Sequence, residues 1–189
     1  MASGVVHPER QAGVGSPAAP IAARPVATVL LAWPAMLGLD VFLHAGLLAP
    51  LYDWDGPFLL RPEEAFVRIP IGYLGFLVLA VGLAWLLARL EVRSGRQGGL
   101  VGAGLGAVVW GALLLGLWSI STAQPGLLVG WWIGQVVELG LGGAVIGAML
   151  GGAPPRSIAW RVGGIILAGA ASAVVLQAIG YAEAPLVVR

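Results

Sequence analysis

Asp40, His44 and Glu138 are ionisable side chains set deep within long apolar stretches. Asp40 and His44 are four residues apart, so a helix places them on one face, one turn from each other. Glu138 follows Gln135 by three residues and shares a face with it in the same way. Side chains of these types in hydrocarbon pass protons, hold a cation, or bond to one another as polar glue between helices. In the structural version, Asp40 bonds His44 or Arg68, and a protonated Glu138 bonds Gln135, a serine or a tryptophan N–H. In the functional version, the same residues form a proton or cation path. One histidine and two carboxylates make a thin zinc site, because zinc takes four ligands rich in His or Cys; no metal is expected. No haem or other cofactor is expected either, since the second histidine is His7, in the N-terminal tail.

Catalysis finds little support. The chain has no cysteine, which removes thiol nucleophiles and thiolate metal sites. Ser119 or Ser121 with His44 has no nucleophile-turn context, and no phosphate-binding loop follows a strand. No catalytic residue is assigned, and the chain reads as non-enzymatic.

The elements that hold these residues are long apolar helices. Residues 69–88, 97–137 and 162–182 contain no Asp, Glu, Lys or Arg. A bilayer core about 30 Å thick needs roughly 20 apolar residues at 1.5 Å each. The fold class expected is all-α: an integral membrane bundle of five spans, at 26–49, 69–90, 99–122, 127–151 and 158–181, or four if the first or last is re-entrant. Gln124-Pro125-Gly126 and the segment 151–155 supply the breaks around the fourth helix. Of the 189 residues 59% are hydrophobic and 10% charged, against about 25% charged in soluble domains. Residues 1–25 read as a disordered cytoplasmic tail rather than a signal peptide, and 183–189 as a short C-terminal tail. All ten basic residues are arginines and they do not cluster, so no nucleic-acid surface is expected.

With the N-terminus inside, seven arginines fall in inner segments and three in outer ones, which predicts N-inside, C-outside. Tyr52, Trp54, Trp118, Trp131 and Trp132 then lie near the outer interface and Trp160 near the inner one. In the outer loop 50–68, Pro62 followed by Glu63 and Glu64 signals a short interfacial helix over 62–67. Asp40 and Glu138 lie about 15 Å below the outer helix ends. Ser119, Ser121, Arg68 and Tyr73 fall in the same half. The expectation is a polar pocket in the outer half of the bundle, walled by Tyr73, Trp118, Trp131 and Trp132, provided that helices one and four face each other.

Thirty glycines are patterned for close packing: Gly143, Gly147 and Gly151 in helix four, Gly102 and Gly106 in helix three, and Gly164, Ala168 and Ser172 in helix five. Helices three, four and five are therefore expected to form the tight part of the bundle. No internal repeat is visible, so an inverted-repeat transporter has no support.

The stretch Gly130-Trp131-Trp132-Ile133-Gly134-Gln135-Val136-Val137-Glu138 leads into the glycine-rich run 140–152. It is preceded by a helix carrying Trp110 and Gly111 and ending at Ser121-Thr122. This pattern resembles small bacterial inner-membrane proteins of four to five helices, grouped as a family of unknown function. The resemblance covers about residues 30–152 and rests on hydropathy and glycine spacing. It implies a helical bundle in a bacterial cytoplasmic membrane, and neither an activity nor site residues. The reading put first is a non-enzymatic accessory or structural subunit that meets lipids and other membrane subunits, or copies of itself, through glycine-rich helices. A small proton- or cation-coupled transporter or channel and a lipid- or hydrophobe-binding sensor are the alternatives.

Overall fold

The computed structural model describes residues 23–52 and 57–182. The predicted C-terminal tail, most of the predicted N-terminal tail, and Trp54 with its neighbours in the outer loop lie outside the described residues. The chain forms α1 (Ala23–Phe42), α2 (Pro62–Arg89), α3 (Gly95–Ile120), α4 (Pro125–Leu150) and α5 (Pro155–Ala178). A π-helical turn, Leu43–Leu47, and a 3-10 turn, Ala49–Tyr52, prolong α1. No strand occurs among the described residues, and the fold is an all-α bundle. Five segments are long and apolar enough to cross a membrane: Pro25–Leu47, Glu64–Arg89, Gly95–Ile120, Pro125–Leu150 and Pro155–Ala178.

Helix starts follow the local chemistry. Proline opens α2, α4 and α5, where the first N–H groups have no intrahelical acceptor to lose. Ser94 caps α3, its Oγ accepting from the Gln97 N–H at 3.2 Å. The short helix expected over 62–67 is the first part of α2, which runs unbroken through Pro70 to Arg89. Pro70 removes a single i→i−4 bond, to the Phe66 carbonyl, and the helix continues past it.

α4 is the axis of the bundle. Its span is 56% buried, against 33% for α1 and 17% for each of α2, α3 and α5. It packs along α3 on one side and against α1 and α2 on the other. α1 and α4 are therefore neighbours, as the polar residues require. Met36, Leu83, Leu87, Leu139 and Ile146 are buried together in the core where α1, α2 and α4 converge.

Glycine makes the α3–α4 contact a backbone-on-backbone seam. A Cβ on Gly98 or Gly102 would fall on the Gly143 or Leu139 carbonyl, and one on Gly143, Gly147 or Gly151 would fall on the carbonyls of Gly98, Ser94 or Arg93. The strips expected on helices three and four thus meet each other. α5 departs from the expectation. It packs on α1, with Gly169 seated on the Gly38 carbonyl and Ala173 against Gly46. Gly164 and Ala168 face outward, because α5 turns the neighbouring register, Val162, Gly169 and Ala173, into the bundle.

Gly102→Val should lower stability by about 3 kcal/mol, since the obstructing atoms are backbone and cannot rotate away. Gly104→Ala, with nothing within 4 Å of the added Cβ, should raise stability by about 0.5–1 kcal/mol through helix propensity. Thermal unfolding in detergent distinguishes the two signs; a neutral Gly102→Val would contradict the seam.

Candidate functional site

α4 presents Trp131, Gln135 and Glu138 at helical spacing along the face that meets α1. Glu138 is 0% exposed and Gln135 6% exposed. Glu138 lies halfway along the 26 residues of α4. Gln135 Nε2 donates to Glu138 Oε2. From α1, Asp40 and His44 approach the same place: His44 Nε2 stands 3.6 Å from Asp40 Oδ1 and 3.9 Å from Glu138 Oε1. Both gaps exceed hydrogen-bond length, so the three groups stand side by side without a direct bond between His44 and either carboxyl. One ligating atom from each of Asp40, His44 and Glu138 lies within 4.8 Å of the other two.

The π turn positions His44. It closes with Leu48 N–H donating to the Leu43 carbonyl at 2.7 Å, a widened ring that re-aims the residues inside it and that recurs at functional sites. Carbonyls left over at this helix end are satisfied from α5 and the residues just after it. Gln177 Nε2 donates to the Ala45 carbonyl at 3.0 Å, and the Tyr181 hydroxyl donates to the Leu47 carbonyl at 3.2 Å. α5 thus holds the turn that carries His44.

Tyr52 completes the far side of the imidazole. The 3-10 turn lays Leu48 and Leu51 over Gly130, each 3.1 Å from where a Cβ would stand, and this close approach brings Tyr52 to α4. Trp131 Nε1 donates to the Tyr52 hydroxyl oxygen at 2.6 Å. Tyr52 and His44 Nδ1 are hydrogen-bonded to each other. An indole N–H only donates, so the phenol proton is free to go to Nδ1, which puts the imidazole proton on Nε2, toward the carboxylates. Burial pushes the Tyr52 phenol well above the usual tyrosine range and keeps that proton in place. Phe58 packs on Trp131, with ring centroids 6.1 Å apart, and covers this end of the cluster.

The structure brings Asp40, His44, Gln135 and Glu138 together and divides the expected pocket wall. Trp131 belongs to the cluster through Tyr52. Trp118 and Trp132 stand elsewhere, with Gly111 and Leu128, along an apolar groove of about 370 Å³ between α3 and α4. Tyr73 is tied to α1 through its backbone, its carbonyl accepting from Trp33 Nε1 at 2.8 Å. Asp40 pairs with His44, not Arg68. Ser119 Oγ donates to the Gly116 carbonyl and Ser121 Oγ accepts from the Ala123 N–H, so both serve the end of α3. Sequence reasoning placed Tyr52 in the interfacial belt and passed over Gln177 and Tyr181. Their signal was positional: polar groups close to the ends of apolar helices, where free carbonyls collect.

No family model matches this sequence, and no curated protein or solved structure is significantly similar to it. The functional reading rests on the chemistry of the cluster.

That chemistry has one conspicuous imbalance. Glu138 Oε1 and Gln135 Oε1 are buried acceptors with no hydrogen-bond partner. A buried acceptor left unsatisfied costs about 1–3 kcal/mol. Tyr52→Phe removes the Trp131 acceptor and the His44 partner while conserving shape. It should lower stability by about 1 kcal/mol, read by thermal unfolding in detergent, and should shift the tryptophan emission as Trp131 loses its bond. An unchanged spectrum and midpoint would contradict the Trp131–Tyr52–His44 chain.

Proposed function

We propose that this chain is a small proton- or cation-translocating membrane protein, with Asp40, His44 and Glu138 carrying the ion at the α1–α4 contact. The observation that carries the reading is Glu138: fully buried at the middle of α4, with one carboxylate oxygen unpartnered and 3.9 Å from His44 Nε2. Ionisable groups at that depth are costly and mark ion and proton routes. The Asp40 and His44 side chains are 16% and 26% exposed, whereas Glu138 is sealed. An ion reaching Asp40 therefore meets His44 before Glu138. The reading is non-enzymatic, supported by the company around His44: carboxylates, an amide and a phenol, with no serine in the cluster. We place the 50–61 end on the outer face of a bacterial cytoplasmic membrane, following the arginine balance.

A second reading, an accessory subunit that packs against another membrane chain or a copy of itself, draws on the small residues Gly164 and Ala168, exposed on α5. The strips of α3 and α4 lend it no support, because they pack on each other.

Purified protein in liposomes carrying an internal pH dye tests the first reading. Under an imposed gradient the wild type should dissipate it. Glu138→Gln and Asp40→Asn should each reduce the flux at least about ten-fold, as expected for intramembrane carboxylates on the route, with unchanged helix content and elution. Equal flux in wild type and both variants would overturn the assignment.

A further inference from the structure

We infer that Asp40, His44 and Glu138 form a binding site for a divalent transition-metal cation. This deepens the reading of the cluster as an ion site and rests on it, by naming the class of ion. Three observations carry the inference.

The first is geometry. His44 Nε2 is 3.6 Å from Asp40 Oδ1 and 3.9 Å from Glu138 Oε1, and the three ligating atoms lie within 4.8 Å of one another. A point equidistant from atoms so placed is about 2.4 Å from each; cation–oxygen bonds span about 2.0–2.6 Å and zinc–imidazole bonds about 2.0–2.1 Å. An inward movement of a few tenths of an ångström closes a coordination shell.

The second is the unpartnered amide. Gln135 is 6% exposed, its Nε2 is bonded to Glu138, and its Oε1 accepts no hydrogen bond. Glu138 Oε1, in a side chain with no exposure at all, is unpartnered as well. These are lone pairs removed from water with nothing to receive them. A cation between Asp40, His44 and Glu138 supplies what Glu138 Oε1 lacks, while Gln135 holds the other carboxyl oxygen in place.

The third is charge and ligand type. Two carboxylates balance a divalent ion to zero net charge in a low-dielectric interior, where a residual charge is costly. The imidazole nitrogen selects a transition ion over magnesium or calcium, and the oxygens suit manganese and zinc alike. Tyr52 acts as a positioning residue. When Nε2 binds the metal, the imidazole proton resides on Nδ1 and the Tyr52 oxygen accepts it, which fixes the ring as ligating histidines are commonly fixed.

Full-length protein, stripped with EDTA in detergent, is titrated with Zn²⁺ and read by equilibrium dialysis with elemental analysis; Mn²⁺ is followed by paramagnetic resonance. One saturable ion per chain is expected. His44→Gln, Glu138→Gln and Asp40→Asn should each weaken binding at least about ten-fold, Tyr52→Phe should weaken it by about ten- to a hundred-fold, and His7→Gln should leave it unchanged. Absence of saturable binding to the wild type, or undiminished binding in the well-folded Glu138→Gln and His44→Gln variants, overturns the inference. The measurement is independent of flux. A protein that binds no metal yet carries protons sinks this inference and leaves the proposed function standing; metal bound stoichiometrically without any flux does the reverse.

Discussion

Glu138 governs the arrangement of this protein. A carboxyl group at the midpoint of the central helix is fully buried. Burying such a group without partners costs several kcal/mol, so the surrounding structure is organised around it. Gln135, one turn earlier on α4, takes one of its oxygens. The other oxygen faces His44 at 3.9 Å, and His44 is carried by the π turn that follows α1. The turn is held by Tyr52 and Trp131 on one side and by Gln177 of α5 and Tyr181, just beyond it, on the other.

The packing makes this burial achievable. α4 is enclosed because α3 lies on it with backbone against backbone, which glycine at the contact positions alone permits. The opposite face of α4 is then left to α1 and α2. Gly142 admits the Met36 thioether, and Gly130 admits the turn that carries Tyr52. α5 touches α4 little and braces α1 instead. Seam and site are two faces of one helix: one face carries glycine so that the other can carry charge.

Much of this was legible in the sequence. Hydropathy, prolines and glycine spacing predicted five helices and the small-residue strips of α3 and α4, because each is a local property or a simple period; that these two strips face each other came from the structure. The pairs Asp40–His44 and Gln135–Glu138 followed from helical spacing. Their union across α1 and α4 did not, since no local pattern encodes which helices are neighbours. The π turn was invisible for a related reason: Leu-His-Ala-Gly-Leu is compatible with an ordinary helix, and the carbonyls that the turn leaves over are met by distant donors, Gln177 and Tyr181. Trp118, Trp131 and Trp132 looked equivalent as belt residues. The structure separates them because adjacent positions on a helix face about 100° apart, which points Trp131 at α1 and leaves Trp132 on the α3 side with Trp118.

The central claim is that His44 and Glu138, 94 positions apart in the chain, act as one energetic unit. A double-mutant cycle measures that directly: unfolding free energies of the wild type, His44→Gln, Glu138→Gln and the double variant, in one detergent at one pH. Side chains in contact couple by about 0.5–3 kcal/mol, whereas distant ones add to within about 0.3–0.5 kcal/mol. A coupling of about 1 kcal/mol or more is expected here. Simple additivity of the two single variants would contradict the account.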